Sequence, residues 1–293
     1  MLAEIAAAAA ISGLAVLGLH LYWRLRWGPP ASGSIPILAY HKVDSRFELG
    51  GTRVTPRQFG RQMVYLKQRG YTAVTLSQAV ELMDQGRTAE KQYVCITFDD
   101  AYQGLYDHAL PVLRRHGFAA TAFVITDYVG QENRWDINWA GLRFAHLGWE
   151  QMREMQAAGI EFGSHSRSHR DLRFLEDREL RQELAGSKQD LERELGTAVT
   201  AFSYPFGRYD RRVREAVREA GYACACSLSP QTRNSELDRY ALRRCGVYIT
   251  DLLWDFRHKV DQQSPWFWTQ DLWSRTVNFC AGGTAIAKRI LGK

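Results

Sequence analysis

An α/β fold built on a parallel sheet, open or closed into a barrel, is the architecture this sequence predicts. Two observations carry that expectation. Short apolar runs alternate with amphipathic helical patterns over roughly 230 residues from Ile35 onward, the rhythm of successive strand–helix–strand units. Polar clusters recur where those runs end, the edge at which such folds keep their chemistry. The composition supports a packed domain: 45% hydrophobic, 24% charged and only 8 Pro exclude a disordered or low-complexity chain. At 293 residues, one large domain with appendages, or at most two modest domains, can form.

Taken in order, the chain opens with an uncharged stretch from Ile5 to Trp23, bounded by Glu4 and by Arg24 and Arg26. At ~1.5 Å per residue a helix there reaches about 28 Å, the thickness of a bilayer core. Tyr22, Trp23 and Trp27 sit at its end as interfacial aromatics would. Residues 1–27 are therefore expected to form a single-pass transmembrane anchor. A cleaved signal sequence is the alternative, opposed by the missing basic leader and cleavage site. Arg24 and Arg26 lie on the C-terminal flank, which places the remainder in the cytoplasm by the positive-inside tendency. Residues 28–34, with two Pro, two Gly and two Ser, read as a linker.

The main domain is expected over 35–262. Strands are predicted at 36–40, 73–76, 93–98, 120–125, 160–164, 201–204 and 223–227. Thr55-Pro56 starts a helix that stops at Gly70, and Ser77 opens another that ends near Gly86. Residues 178–195 and 211–220 show charged faces opposite apolar stripes. No internal repeat is visible. The segment 263–293 is aromatic and basic: Trp254, Trp266, Trp268 and Trp273 fall in the last forty residues, which end on Lys288, Arg289 and Lys293. Its aromatic stripe, opposite Thr269, Gln270, Ser274 and Asn278, either packs on the domain or lies along a membrane surface.

A net charge of +6 is mild and fits affinity for anionic lipid or glycan, but no basic arm suggests nucleic acid. Five cysteines, Cys95, Cys224, Cys226, Cys245 and Cys280, make no disulfide framework. They read as small buried hydrophobes, which agrees with a reducing compartment. Cys224 and Cys226 share a face, yet no second pair completes a zinc ribbon.

The polar clusters carry the chemistry. Asp99-Asp100 follow the run VCITF, His165 and His169 follow IEFG, Pro205-Phe206-Gly207 follow AFSY, and His41 follows PILAY. Two His four apart plus a distant carboxylate supply three N/O ligands, the count of a catalytic metal site with open positions. The adjacent carboxylate is placed to act as a base. Each cluster alone has a plainer reading: a helix cap for the Asp pair, a solvated loop for HSRSH, a packed imidazole for His41. Their coincidence at successive strand ends favours a site.

The segments CITFDD, GIEFGSHSRSH and FSYPFG resemble, in order and spacing, the first three motifs of the NodB-homology polysaccharide deacetylases. ILAYHKV, TPRQFGRQMVYLKQRGYTAVTL and LRRCGV are similar to the branch that holds the poly-N-acetylglucosamine deacetylases. The resemblance spans about 35–260. It implies a distorted (β/α)7 barrel, an extracytoplasmic setting and metal-dependent hydrolysis of an N-acyl amino sugar, with an N-acetylated glycan as partner. It assigns Asp100, His165 and His169 to one divalent metal, zinc first, with cobalt, nickel or iron compatible. Asp99 matches the general base, and the Phe206 N–H matches the oxyanion donor. Tyr204, Pro205 and Trp135 complete the expected set as substrate contacts.

Two departures matter. Ser203 stands where many relatives have an Arg that tethers the catalytic Asp, and Leu242-Arg243-Arg244 lacks the late histidine that serves as acid. By resemblance Arg244 takes the tethering duty and His41 the acid's, across the substrate from Asp99. A fourth motif is not recognisable. The expected function is removal of N-acetyl groups from a polysaccharide or surface glycan. Deacetylation or deformylation of a lipid-linked amino sugar is the alternative. A non-catalytic glycan-binding relative is a third reading, opposed by the intact Asp99, Asp100, His165 and His169.

Overall fold

The computed structural model describes residues 2–48, 51–134, 142–228 and 237–290, the side chains of 2–11 and 279–290 excepted. Its centre is a parallel sheet of β1 (Ile37–Tyr40), β4 (Thr72–Val74), β5 (Tyr93–Phe98), β6 (Ala120–Val124), β7 (Ile160–Ser164), β8 (Ala201–Ser203), β9 (Cys224–Ser227), β10 (Leu242–Arg243) and β11 (Cys245–Gly246). The two short strands β2 (Lys42–Val43) and β3 (Arg53–Val54) pair separately. All seven expected strands are present, their ends shifted by at most two residues.

One stretch, 242–246, bends the sheet into a nearly closed ring. Leu242 and Arg243 pair with Cys226 and Ser227 of β9, while Cys245 and Gly246 pair with Leu38 and Ala39 of β1. Between the two half-strands stands Arg244, where the chain passes from one neighbour to the other. Seven staves therefore circle the barrel. Its distortion sits at β5, whose first half pairs with β4 and whose second half pairs with β6, so β4 is a wedge at the bottom. The interior is tight: a Cβ at Gly163 would lie 2.7 Å from the Phe123 ring. Sequence reasoning did not reach β10 and β11, because two-residue strands carrying Arg-Arg show no apolar period.

Helices cover the outside. Thr55 caps α2 (Pro56–Gln68), accepting from the Gln58 N–H at 3.1 Å. For α3 (Leu76–Asp84) the cap is Thr75 rather than Ser77: Thr75 and Gln78 exchange side-chain-to-backbone hydrogen bonds, a capping box. Then come α4 (Leu110–His116) and α5 (Trp149–Ala157). The expected helix 178–195 is α6 (Asp177–Arg181) and α7 (Ser187–Leu195), joined by a π turn, Gln182–Gly186. Asp210 caps α8 (Arg211–Glu219), and α9 (Leu253–Val260) comes after the closing stretch.

The N-terminal expectation is corrected. Among the described residues no helix is long and apolar enough to cross a membrane, so the single-pass anchor and the membrane localisation built on it do not stand. The N-terminal helix α1 (Leu2–Arg26) is diluted by Ala and Gly and carries His20, Arg24 and Arg26. Its last turns dock on α10 (Phe267–Ile290). Trp23 is buried and donates its indole N–H to Asp271 Oδ2 at 2.8 Å, and the His20 ring meets the Trp268 ring edge-on at 5.1 Å.

The faces of α10 do not divide into aromatic inside and polar outside, although Trp268 packs partly buried against the core. Phe267, Gln270, Asp271, Ser274 and Asn278 face the barrel, while Trp266 and Trp273 are about half exposed. The surface that α10 covers is polar, which explains the choice. Asp271 accepts from Arg243 at 2.9 Å and from Arg275 at 3.1 Å, and Asn278 donates to the Leu228 carbonyl at 2.9 Å. Burial would raise the Asp271 pKa, but Arg243 and Arg275 hold it below the ordinary carboxylate value. Asp271 thus stabilises the fold fully above its unfolded pKa, and that contribution is lost as pH falls through its lowered folded value. Asp271→Ala should therefore cost about 3–5 kcal/mol at neutral pH by stranding the Arg243 charge, whose side chain is only 12% exposed, and the difference should shrink in strong acid. Urea unfolding of both proteins at neutral and acid pH measures it; a neutral-pH difference below about 1 kcal/mol would mean the pair contributes no more than a surface ion pair.

Candidate active site

Three loops at the C-terminal ends of β5, β7 and β8 converge on one point. The Asp99 N–H still donates to the Tyr40 carbonyl at 2.8 Å, extending the sheet by one bond. The chain then turns sharply, with positive φ at Asp100 and Ala101. Adjacent carboxylates are thereby aimed at different partners. All five non-glycine residues with positive φ among the described residues lie in these loops: Asp100, Ala101, Ser166, His169 and Phe206. Such backbone costs of order 1–3 kcal/mol at each residue and persists where the surroundings over-determine it.

Asp99 is the electrostatic centre. Arg244 grips it with two parallel hydrogen bonds of 2.7 Å, Nη1 to Oδ1 and Nη2 to Oδ2. The same guanidinium donates to Thr97 Oγ1 at 3.0 Å and to Ser203 Oγ at 2.9 Å. The Ser203 hydroxyl in turn donates to Asp99 Oδ1 at 3.2 Å. Both charged groups are 1% exposed, so each depends on the other and on nearby protein groups in place of bulk solvent. Burial alone would raise the Asp99 pKa, but Arg244, His165 and His41 hold it well below the usual carboxylate range. Ser203, in place of a longer side chain, leaves the room that Arg244 fills from across the barrel.

Asp100, His165 and His169 form the second cluster, all buried, their potential ligand atoms within 4.8 Å of one another. His165 Nε2 stands 3.5 Å and His169 Nε2 3.7 Å from Asp100 Oδ1. Two ligands about 2.1 Å from one ion at a tetrahedral angle are about 3.4 Å apart, so the spacing suits a shared divalent cation. His165 Nδ1–H donates to the Ser203 carbonyl at 2.7 Å, which turns the lone pair of Nε2 toward the cluster. The donor set, two imidazoles and a carboxylate, fits zinc and its neighbours in the first transition row.

His41 Nε2 lies 3.7 Å from Asp99 Oδ2, so it stands beside the expected base and not across a substrate from it. Burial, the largest influence, together with Arg244 and His165 lowers its pKa to about 4 although Asp99 opposes the shift. Phe206, φ 58° and ψ 10°, forms the turn after β8, and its ring packs on His169 at 4.6 Å. Gly207 comes next with φ 64°, where a Cβ would sit 2.9 Å from the Leu228 nitrogen. Pro205 and Tyr204 are buried beneath this turn; the Tyr204 hydroxyl donates to the Tyr240 carbonyl at 2.9 Å and its ring stacks on Tyr209. Trp135 lies outside the described residues.

One contributor had no sequence signal. His146, 3% exposed, donates from Nδ1 to the Asp100 carbonyl at 2.6 Å and stacks on Tyr102 at 4.7 Å. It braces the strained backbone of a candidate ligand from 46 residues away. Burial lowers its pKa to about 4, so it is neutral near pH 7.

Comparisons with known proteins show the family of the chain. A family model described as polysaccharide deacetylase matches residues 86–225. YxkH of Bacillus subtilis (strain 168), an inferred polysaccharide deacetylase, is 32% identical over 213 residues, covering 73% of this chain and 71% of that protein. The poly-β-1,6-N-acetyl-D-glucosamine N-deacetylase of Staphylococcus epidermidis is 26% identical over 235 residues, 77% of each chain. Among solved structures, the Streptococcus pyogenes deacetylase PplD in complex with acetate superposes with a TM-score of 0.68 at 23% identity, over 77% of this chain and 97% of that one. The fold, the ring closure and these relatives lead to one conclusion: the chain belongs to the polysaccharide deacetylase family and is a hydrolase of that family.

Proposed function

We propose that this protein removes N-acetyl groups from the amino sugars of a polysaccharide, with one divalent metal ion held by Asp100, His165 and His169. The convergence of those three side chains beside the Asp99–Arg244 pair carries the reading. An N-acetylglucosamine polymer is the substrate class suggested by the staphylococcal relative. Zinc is the expected ion, with cobalt, nickel or iron also matched to N/O ligands. A divalent cation in such a site polarises an acyl carbonyl and lowers the pKa of a coordinated water from 15.7 toward about 7.

The chain's own residues have distinct tasks. Asp99, ionised throughout the near-neutral range, accepts the proton of the attacking water as oxygen adds to the amide carbon. Arg244 holds both of its oxygens, so the carboxylate meets that water in one orientation. The Phe206 N–H donates to the developing oxyanion; loss of such a donor typically costs ~2.7–4 kcal/mol. When the C–N bond breaks, the amine must gain a proton. His41, neutral in the free protein, can first take a proton at Nε2 from nearby Asp99 and then pass it on. One proton would thus travel from water to amine, leaving acetic acid and a free amino sugar; the acid then gives its own proton to solvent or to the amine.

Metal content and turnover test the ligand set and the base together. Wild type should carry one divalent ion per chain by elemental analysis, His165→Ala/His169→Ala should carry none, and Asp99→Asn should keep the ion while losing nearly all hydrolysis of an N-acetylglucosamine oligomer. Equal metal in wild type and the double histidine variant would remove the metal assignment; substantial turnover by Asp99→Asn would remove the base. For His41 the sign is set by its low pKa. Since it is already neutral above about pH 4, the kcat/KM profile, which reports the free enzyme, should show no alkaline limb due to this residue. His41→Ala should lower kcat at least about 100-fold, the lower end for an acid–base group, with unchanged metal content. Full activity in that variant, or an alkaline limb that it abolishes, would contradict the relay.

A further inference from the structure

We infer that Glu183 is a positioning residue: it grips the backbone between His165 and His169 and so sets the separation of the two imidazoles. This rests on the metal reading above and adds a residue to it that no motif contains. Glu183 is buried, 7% exposed, on the π turn Gln182–Gly186. Its Oε2 accepts from the Arg167 N–H at 2.9 Å and the Ser168 N–H at 3.0 Å, and its Oε1 accepts from the Ser168 hydroxyl. Arg167 and Ser168 lie directly between the two histidines. The loop they belong to is strained, with φ 66° at Ser166 and 57° at His169. Charge-assisted bonds to consecutive amides are the kind of contact that can hold it there.

The helix is deformed to bring Glu183 to this place. A π turn contains one residue more than an α turn, and that residue rotates the helical segment before it by about 100° relative to the segment after it. Side chains stabilise the widened turn. The Ser187 hydroxyl lies 2.7 Å from the Glu183 carbonyl oxygen and 3.0 Å from that of Leu184, and the Tyr222 hydroxyl donates to Leu184 at 2.9 Å. Ser187 also meets the Ser164 hydroxyl at 2.7 Å, next to His165 in sequence. Turn, strand end and ligand loop are thus one connected unit. A regular α-helix through 177–195 would carry the carboxylate away from both amides.

The test measures cobalt(II) affinity by chelator competition, the visible spectrum of the cobalt-loaded protein, and the Tm of the metal-free form. Wild type, Glu183→Ala, Glu183→Asp and Glu183→Gln are compared. Glu183→Ala should weaken cobalt binding about 10–100-fold, the usual effect of an outer-layer partner, and change the intensity of the cobalt bands. Glu183→Gln should stay within a few-fold, because its amide oxygen still accepts both N–H groups while its NH2 meets the Ser168 hydroxyl. A purely structural role would lower Tm in Glu183→Ala with wild-type affinity and spectrum, and that result overturns the inference. Should Glu183→Ala not fold, Glu183→Asp, which withdraws the carboxylate by one methylene, is expected to weaken cobalt with a near-normal Tm; wild-type affinity there overturns the inference equally. Wild type that takes up no cobalt contradicts the metal reading itself, and this inference with it.

Discussion

The rest of the site depends on one buried ion pair, Arg244 with Asp99. Two charges at 1% exposure would be prohibitive if either stood alone. Together, in a bidentate geometry with Thr97 and Ser203 taking further guanidinium donors, they satisfy one another. A buried pair of this kind is a weak source of stability but a strong source of geometry. Arg244 stands at the single residue where the chain passes from β9 to β1, so the element that closes the ring also orients the carboxylate inside it. Ring closure and the orientation of Asp99 are one constraint.

That closing stretch is itself braced from outside. Arg243 pairs with Asp271 of α10, and buried Lys259 of α9 donates to the Gly246 carbonyl at 2.8 Å while pairing with Asp251. Arg243 and Gly246, on either side of Arg244, thus each have a charged partner on the outer layer. The polar face of α10 is explained by this: it meets a strand held by ion pairs, not an apolar sheet. On the other side of the site, His146 and Glu183 support the backbone of the candidate metal ligands. Positive φ at those loops is tolerated because so many hydrogen bonds specify them.

The parts of this arrangement that the chain displays locally were legible. Asp99-Asp100, His165 with His169, and Pro205-Phe206-Gly207 each come after an apolar run, and the alternation of runs predicts where strands end. Arg244 was reachable only through resemblance, since its partner lies 145 residues away. His146 and Glu183 carry no local pattern at all; a lone His after a loop and a Glu on a charged helix look like surface. The N-terminal helix misled for a related reason. Its apolar run suggests a span, while the docking of Trp23 on Asp271, 248 residues on, has no local sign. The same limit applies to α10, where periodicity shows two faces and only the surface it meets decides which is inside.

The central claim is that Arg244 keeps Asp99 ionised and fixed. The most direct measurement is a 13C NMR titration of the Asp99 carboxyl in the metal-free wild type and in Arg244→Gln. Wild type should show no protonation of Asp99 down to the acid limit of the folded protein. In Arg244→Gln the counter-charge is gone while burial remains, so the carboxyl should titrate within or above the ordinary range near about 3.9. A low and unchanged Asp99 pKa in the variant would contradict the account, because the orientation and charge of this carboxylate would then come from elsewhere.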